Sequence, residues 1–233
     1  MRIMTTDLAL MRRCVIGFIA CAASAVTFAQ ETPAAEQPAP ASVAEAAPAP
    51  PPPPVPALTN VIIHTTLGDI ALALEADRAP LTTKNFLHYV DTKRYDGATF
   101  YRAVDVGDDH KYGMLQGGIR ADPKKVFAPI PHESPAATGL SHVDGAISMA
   151  RFAPGSAKAE FFIVMGNLLS LDGKPGTDDP GYAVFGHVTS GLELAHQIMG
   201  LPRDPTAGKE SGMVGQMIAA PVKILTVRRA EAP

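Results

Sequence analysis

Residues 100–118 read FYRAVDVGDDHKYGMLQGG. Two short β-prone runs, TFYRAV (99–104) and GMLQGG (113–118), flank a polar loop that contains glycine and three aspartates. Both runs read as short strands, with Gly117 and Gly118 serving backbone geometry at a bend. Working outward, further short runs rich in Phe, Ile and Val follow at GAISMA (145–150), EFFIVMG (160–166), YAVFGHV (182–188) and PVKILTVRR (221–229). Upstream, VIIHTTLGDIALALEA places Ile70, Leu72 and Leu74 on one face and marks a hairpin at Leu67–Gly68.

Only two stretches carry helical periodicity. Pro80 opens LTTKNFLHYVDTKRY, in which Phe86, Leu87 and Val90 share a stripe. GLELAHQIMGLP repeats Leu192, Ala195, Ile198 and Met199 before Pro202 ends it. Many short strands with two helices predict a mainly β fold: a closed antiparallel β-barrel capped by two α-helices.

The N-terminal quarter is of different character. Arg12 and Arg13 precede the apolar run Cys14–Val26, and Thr27 and Ala29 are small residues suited to cleavage before Gln30. That pattern predicts a cleaved export signal over 1–29, with Met1, Met4 or Met11 as the start. The run falls short of the about 20 apolar residues a spanning helix needs, so no membrane insertion is expected after cleavage. Both cysteines of the chain, Cys14 and Cys21, lie inside this segment, which leaves no disulfide and no catalytic thiol for the mature protein. A rival reading makes Cys21 a lipid-bearing first residue, although Phe18 suits that poorly. Residues 30–58 are dominated by Ala and Pro and carry PAPPPPPVP at 48–56, a composition that buries no core and favours an extended tether. The folded domain is expected over 59–233.

Charge and motifs exclude several chemistries. After residue 58 there are 17 basic and 19 acidic residues, so nothing favours nucleic acid or anionic lipid. Seven histidines are scattered without metal-ligand spacing, and no nucleophile elbow or phosphate-cradling loop is present. What remains is Arg102 among Met114, Gln116, Ala150, Phe162 and Leu171. Taken alone, Arg102 reads as a surface salt-bridge residue. Beside an apolar aromatic pocket it suits rotation about an amide, whose planarity sets a barrier of about 18–20 kcal/mol. X–Pro bonds populate both isomers and exchange over about tens to hundreds of seconds. As such a bond twists, the prolyl nitrogen recovers a lone pair that a guanidinium can hydrogen-bond.

At these residues the chain resembles the cyclophilin-type peptidyl-prolyl isomerases. FYR (100–102), MLQGG (114–118), GAISMA (145–150), EFFI (160–163), LDG (171–173) and YAVFGHV (182–188) are similar to the family's motifs, in the same order. Together with the export signal, PGYAVFG is most similar to the bacterial periplasmic members. The resemblance implies an eight-stranded barrel and isomerase activity. It also implies that Arg102, Gln116 and Phe162 are the catalytic set, Gln116 bonding the substrate backbone. Met114, Phe162 and Leu171 would line the proline pocket, and Ala150 and Arg151 would offer backbone to the residue before proline. Glu160 and Tyr182 complete the expected substrate contacts, Tyr182 standing where many relatives have histidine.

No cofactor or metal is implied. The expected partners are proline-containing unfolded or exported polypeptides, met in the periplasm by a monomer. The chain departs from the pattern at Gly113 for an aromatic, Glu160 for glutamine, Arg151 for asparagine and Ser170 for an aromatic. The stretch between Arg102 and Gln116 is also longer than usual, which predicts a mobile lip over Asp105–Lys111. Gly113, Glu160 and the longer loop motivate the alternative of a cyclophilin-shaped binding module or chaperone with little turnover.

Overall fold

A computed structural model describes residues 58–107, 112–120, 122–174 and 176–230. The expected export signal, nearly all of the tether and the centre of the lip lie outside the described residues. Alternation of apolar and polar residues builds β1 (Leu58–Thr65) and β2 (Gly68–Glu75), joined by the tight hairpin expected at Leu67–Gly68. Ile70, Leu72 and Leu74 face inward and are fully buried.

Six more strands follow: β3 (Thr99–Asp105), β4 (Gly113–Gly118), β5 (Ala146–Met149), β6 (Phe161–Met165), β7 (Ala183–Ser190) and β8 (Met217–Arg229). All pairings are antiparallel, and the order β1-β2-β7-β5-β6-β4-β3-β8 closes because β1 pairs with both β2 and β8. Eight strands leave an interior just wide enough for side chains to fill. Val61, Ile63, Phe100, Leu115, Ile147, Phe161, Ile163, Phe185, Ile224 and Val227 fill it from the strands.

The two expected helices lie at opposite ends. α1 (Pro80–Asp91) follows the end of β2 and turns Phe86, Tyr89 and Val90 into the core, with Pro80 at its first turn, where a missing N–H leaves no helical bond unmade. The later helix (Leu192–Met199) buries Ala195, Ile198 and Met199, and its Leu194 reaches Gly68 at the start of β2. Between them in the chain lies a third helix that periodicity could not reveal, α2 (Pro135–Thr138). It is one turn long. Its signals are caps: Ser134 Oγ accepts from the Ala137 N–H at 3.3 Å, and Gly139 ends it in the left-handed conformation at φ 67°. The helix over Leu192–Met199 is accordingly α3.

β8 begins earlier than Pro221 suggests. Its first residues bridge to Arg203 and bond Pro202, and the pairing with β3 jumps from Val222 to Met217, so Pro221 falls in a break where no ladder N–H is required. At the other end, Arg228 grips Asp96 through two 2.7 Å bonds and Arg229 grips Asp91 through two at 2.8 Å. These forks tie the last strand to α1 and the turn after it. Being partly exposed, each contributes at most about 1 kcal/mol.

The lip is smaller than its sequence predicts. Asp105 belongs to β3, pairs with Gly113 and lies 3.3 Å from the Arg203 guanidinium, while the Val106 N–H donates to the Tyr112 carbonyl at 2.8 Å. The extra residues therefore lengthen a β-hairpin. The remainder, 108–111, is outside the described residues.

An aromatic knot of Phe86, Tyr95, Phe100 and Phe161 sits between α1 and the barrel floor, with ring centroids 5.1 to 5.9 Å apart around Phe86 and Phe161. Phe161→Ala should lower unfolding free energy by about 3–5 kcal/mol, because the rings around the vacated volume are held by strands and helix and cannot collapse into it. Urea denaturation of the variant measures that loss.

Candidate active site

Strand register, rather than proximity in sequence, assembles the site. Arg102 on β3 pairs with Gln116 on β4, Gln116 with Phe162 on β6, and Phe162 with Ser148 on β5. Residues paired across antiparallel strands project to the same face. Their neighbours in each strand, Leu115, Phe161, Ile163 and Ile147, belong to the barrel core. Phe161 is thus core, as alternation requires, and Phe162 faces out.

On this outer face Phe162 gathers a second apolar cluster with Ala146, Val164, Leu168 and Val184, against which Met114, Leu140, Ala150, Leu171 and Tyr182 pack. Four of the expected pocket residues, Met114, Ala150, Leu171 and Tyr182, are therefore brought together around Phe162. Leu171 arrives on a one-turn 3-10 helix, Leu169–Asp172, whose Ser170 points to solvent. The Tyr182 N–H donates to the Leu171 carbonyl at 2.9 Å, and its ring stands edge-on to Phe162 at 5.7 Å. Arg151 lays its guanidinium over the Tyr182 ring at 4.7 Å and donates to the Gly181 carbonyl. Its side chain thereby braces the aromatic wall. Its neighbour Ala150 holds the end of β6 by donating to the Glu160 carbonyl at 2.8 Å.

A β-bulge creates the polar side of the site. Phe100 pairs with Gly117 and Arg102 with Gln116, so Tyr101 is an extra residue in β3 with no partner on β4. Bulges re-aim side chains, and here consecutive residues Tyr101 and Arg102 both reach Gln116. Arg102 Nη1 donates to Gln116 Oε1 at 2.8 Å, and Nε donates to Gln216 Oε1 at 2.8 Å. Burial draws the guanidinium below its ordinary pKa, but arginine keeps its charge in proteins. Gln216 was not legible as a partner, lying 114 residues away in an unremarkable segment.

Gly113, where relatives were expected to carry an aromatic, has φ 154°, and a Cβ there would lie 2.0 Å from the Val104 carbonyl oxygen. No side chain fits, so this position cannot supply a pocket wall. Tyr112 turns toward Gly166 and is half exposed.

Behind Phe162 lies a network that the scattered histidines did not announce. His142 is fully buried, its ring stacked parallel to Phe162 at 5.9 Å. Its Nδ1 is 2.5 Å from Asp172 Oδ1 and its Nε2 is 3.1 Å from Ser148 Oγ. A carboxylate only accepts, so Nδ1 carries the proton and Nε2 accepts from the Ser148 hydroxyl. Asp172 also takes the His142 backbone N–H at 2.9 Å and the Ser141 hydroxyl. The order Asp–His–Ser matches a hydrolase triad, but Ser148 is wholly buried and no substrate carbonyl can reach it. The network instead fixes the backing of the Phe162 ring.

With this geometry in hand, the relationships are direct. The family model "Cyclophilin type peptidyl-prolyl cis-trans isomerase/CLD" matches residues 60–228. Peptidyl-prolyl cis-trans isomerase A of Dickeya dadantii is 38% identical over 60% of this chain and 70% of its own length. A peptidyl-prolyl cis-trans isomerase of Acinetobacter baylyi is 32% identical over 74% and 87%. Among solved structures, a cyclophilin type peptidyl-prolyl cis-trans isomerase of Cryptosporidium parvum, crystallised in the presence of the dipeptide Ala-Pro, superimposes with a TM-score of 0.59 at 20% identity, covering 74% of this chain and 99% of that one.

Burial pushes His142 below the ordinary histidine pKa of 6.5, outweighing the pull of Asp172, and burial does the same to His132. Folded histidines with depressed pKa values bind fewer protons than the unfolded chain once pH falls below about 6.5. Their contribution to stability is present above that pH and is lost as pH falls through it. The urea midpoint should therefore decline from pH 7 toward pH 5, and His142→Asn should flatten that decline, which a pH series of denaturation curves on both proteins measures.

Proposed function

Since this chain belongs to the family of cyclophilin-type peptidyl-prolyl cis-trans isomerases, and so is an enzyme of that class, we propose that it accelerates X–Pro rotation in exported polypeptides, with Arg102 stabilising the twisted amide. One observation carries the mechanism: the cross-strand row Arg102–Gln116–Phe162 sets a fixed guanidinium beside an apolar cluster. Proline is the residue such a cluster would hold, being apolar and lacking an N–H to satisfy. Phe162, Met114, Leu171 and Tyr182 bury the ring, and the backbone at Ala150 and Arg151 holds the residue before it. Rotation of the acyl side about the C–N bond then brings the pyramidal nitrogen its lone pair. Arg102 bonds that lone pair only in the transition state, so the contact lowers the barrier without tightening substrate binding. No bond is broken and no proton changes owner, in keeping with a site built from a permanent cation and hydrocarbon walls.

The alternative of a binding module with little turnover rests on Gly113, Glu160 and the longer hairpin. Gly113 is accounted for by strand geometry and Glu160 by its bond to Tyr101, at 2.7 Å, so neither speaks against catalysis.

We place the enzyme outside the inner membrane. The support is the basic start, the apolar run and the small residues ahead of Gln30. Sequencing of the mature N-terminus from the periplasmic fraction should return a start at or near Gln30, whereas a membrane-bound form modified on Cys21 would refute cleavage there.

Arg102→Ala should reduce kcat/KM at least tenfold in a protease-coupled proline-peptide assay while leaving the melting temperature near that of the wild type, because the lost donor acts on the transition state and contributes on the order of a few kcal/mol. Phe162→Ala should raise KM through the lost wall. Wild-type turnover by Arg102→Ala would rule out the assigned role.

A further inference from the structure

We propose that Tyr101, Glu160 and Gln216 are positioning residues for Arg102, holding its guanidinium through one continuous hydrogen-bonded relay that rests on the isomerase reading above. The relay runs through four bonds. Gln216 Oε1 accepts from Arg102 Nε at 2.8 Å, and Arg102 Nη1 donates to Gln116 Oε1 at 2.8 Å. Gln116 Nε2 donates to the Tyr101 hydroxyl at 2.7 Å, and that hydroxyl donates to Glu160 Oε2 at 2.7 Å.

Chemistry forces the direction of every bond. A guanidinium has donors and no acceptor, so the oxygens of both Gln116 and Gln216 must face it. The Gln116 amide nitrogen is then turned to Tyr101, whose oxygen accepts and whose proton must go elsewhere. Glu160, an acceptor, takes it. A carboxylate at the far end thus fixes which way round the Gln116 amide sits, and with it the seat of Arg102. Tyr101 and Gln116 are each only 7% exposed, and in that low-dielectric setting such bonds strengthen one another. Burial and the Glu160 charge push the Tyr101 phenol far above its ordinary pKa, so the proton the relay needs stays in place.

Two features of the backbone exist to admit this relay. The bulge at Tyr101 puts the phenol on the same side as Arg102, which strict alternation would forbid. Gly118 leaves room for the carboxylate, since a Cβ at that position would lie 2.4 Å from Glu160 Oε2. Glu160, expected to touch substrate, here acts through Tyr101 and Gln116. A guanidinium held before substrate arrives need not be ordered during rotation, and a misplacement of about 1 Å in such a group can cost about 100-fold in rate.

The test is a set of four variants: Tyr101→Phe, Glu160→Ala, Glu160→Gln and Gln216→Ala. Each is assayed for isomerisation of a proline peptide and melting temperature, and the Arg102 side-chain N–H resonances are followed by NMR in the free protein. Tyr101→Phe, Glu160→Ala and Gln216→Ala should each lower kcat about tenfold with KM within about twofold, since the pocket walls are untouched. Their melting temperatures should stay close to wild type. The Arg102 resonances, distinct in the wild type, should broaden and merge. Glu160→Gln, whose amide oxygen still accepts from the phenol, should keep most of the turnover and the resolved resonances.

Turnover within twofold of wild type in Tyr101→Phe and Glu160→Ala overturns the proposal, as does an equal loss in Glu160→Gln. Should the wild type itself prove inactive, the isomerase reading fails, and the resonances alone decide: unchanged signals in Tyr101→Phe would overturn the relay.

Discussion

The pairing register of four strands is the constraint on which the site depends. Arg102, Gln116, Phe162 and Ser148 come from parts of the chain up to 60 residues apart, yet backbone hydrogen bonds across β3, β4, β6 and β5 set them in one transverse row. Register is pinned from within. A slip of one residue on any strand would turn Leu115, Phe161 or Ile147 out of the core and carry Gln116, Phe162 or Ser148 into it. The energy that holds the site together is therefore that of the barrel core, exerted through the backbone on the opposite face of the same strands.

Two hydrophobic assemblies share this wall. The interior cluster closes the barrel and seats α1 and α3, while the exterior one gathers apolar side chains around Phe162. An exposed phenylalanine would be free to tilt. Here it is held by the parallel His142 ring behind and the Tyr182 edge beside it, and His142 is in turn fixed by Asp172 and Ser148. Asp172 lies next to Leu171, so the same carboxylate that orients the imidazole also anchors the turn carrying another wall residue. The Phe162 ring is thus held from behind and from the side by neighbours that are themselves fixed by hydrogen bonds.

The departures from the family pattern are best understood as local solutions. Gly113 is imposed by a hairpin in which β3 approaches too closely for a side chain, and Glu160 accompanies a tyrosine at 101 that needs an acceptor. Arg151 lays its side chain over the Tyr182 ring and steadies it. Each change leaves the row of paired residues intact.

Fold class, and the residues that the barrel brings together around Arg102 and Phe162, were legible in the amino-acid order because their signals are local. Alternation in residues 61–75 marks inward Ile70, Leu72 and Leu74, helical spacing marks Phe86 and Val90, and short motifs around Arg102, Gln116 and Phe162 are contiguous in sequence. Tertiary structure alone decided the rest. The bulge at Tyr101 arises from pairing on both sides of β3, and α2 is one turn defined by caps instead of by a period. Gln216 meets Arg102 across 114 residues, and His142 meets Asp172 across 30, with nothing nearby in either segment to announce a partner. Hydrophobic period is written into each strand by the backbone's own geometry, whereas the partner of a polar side chain depends on which strands close the barrel and in what register.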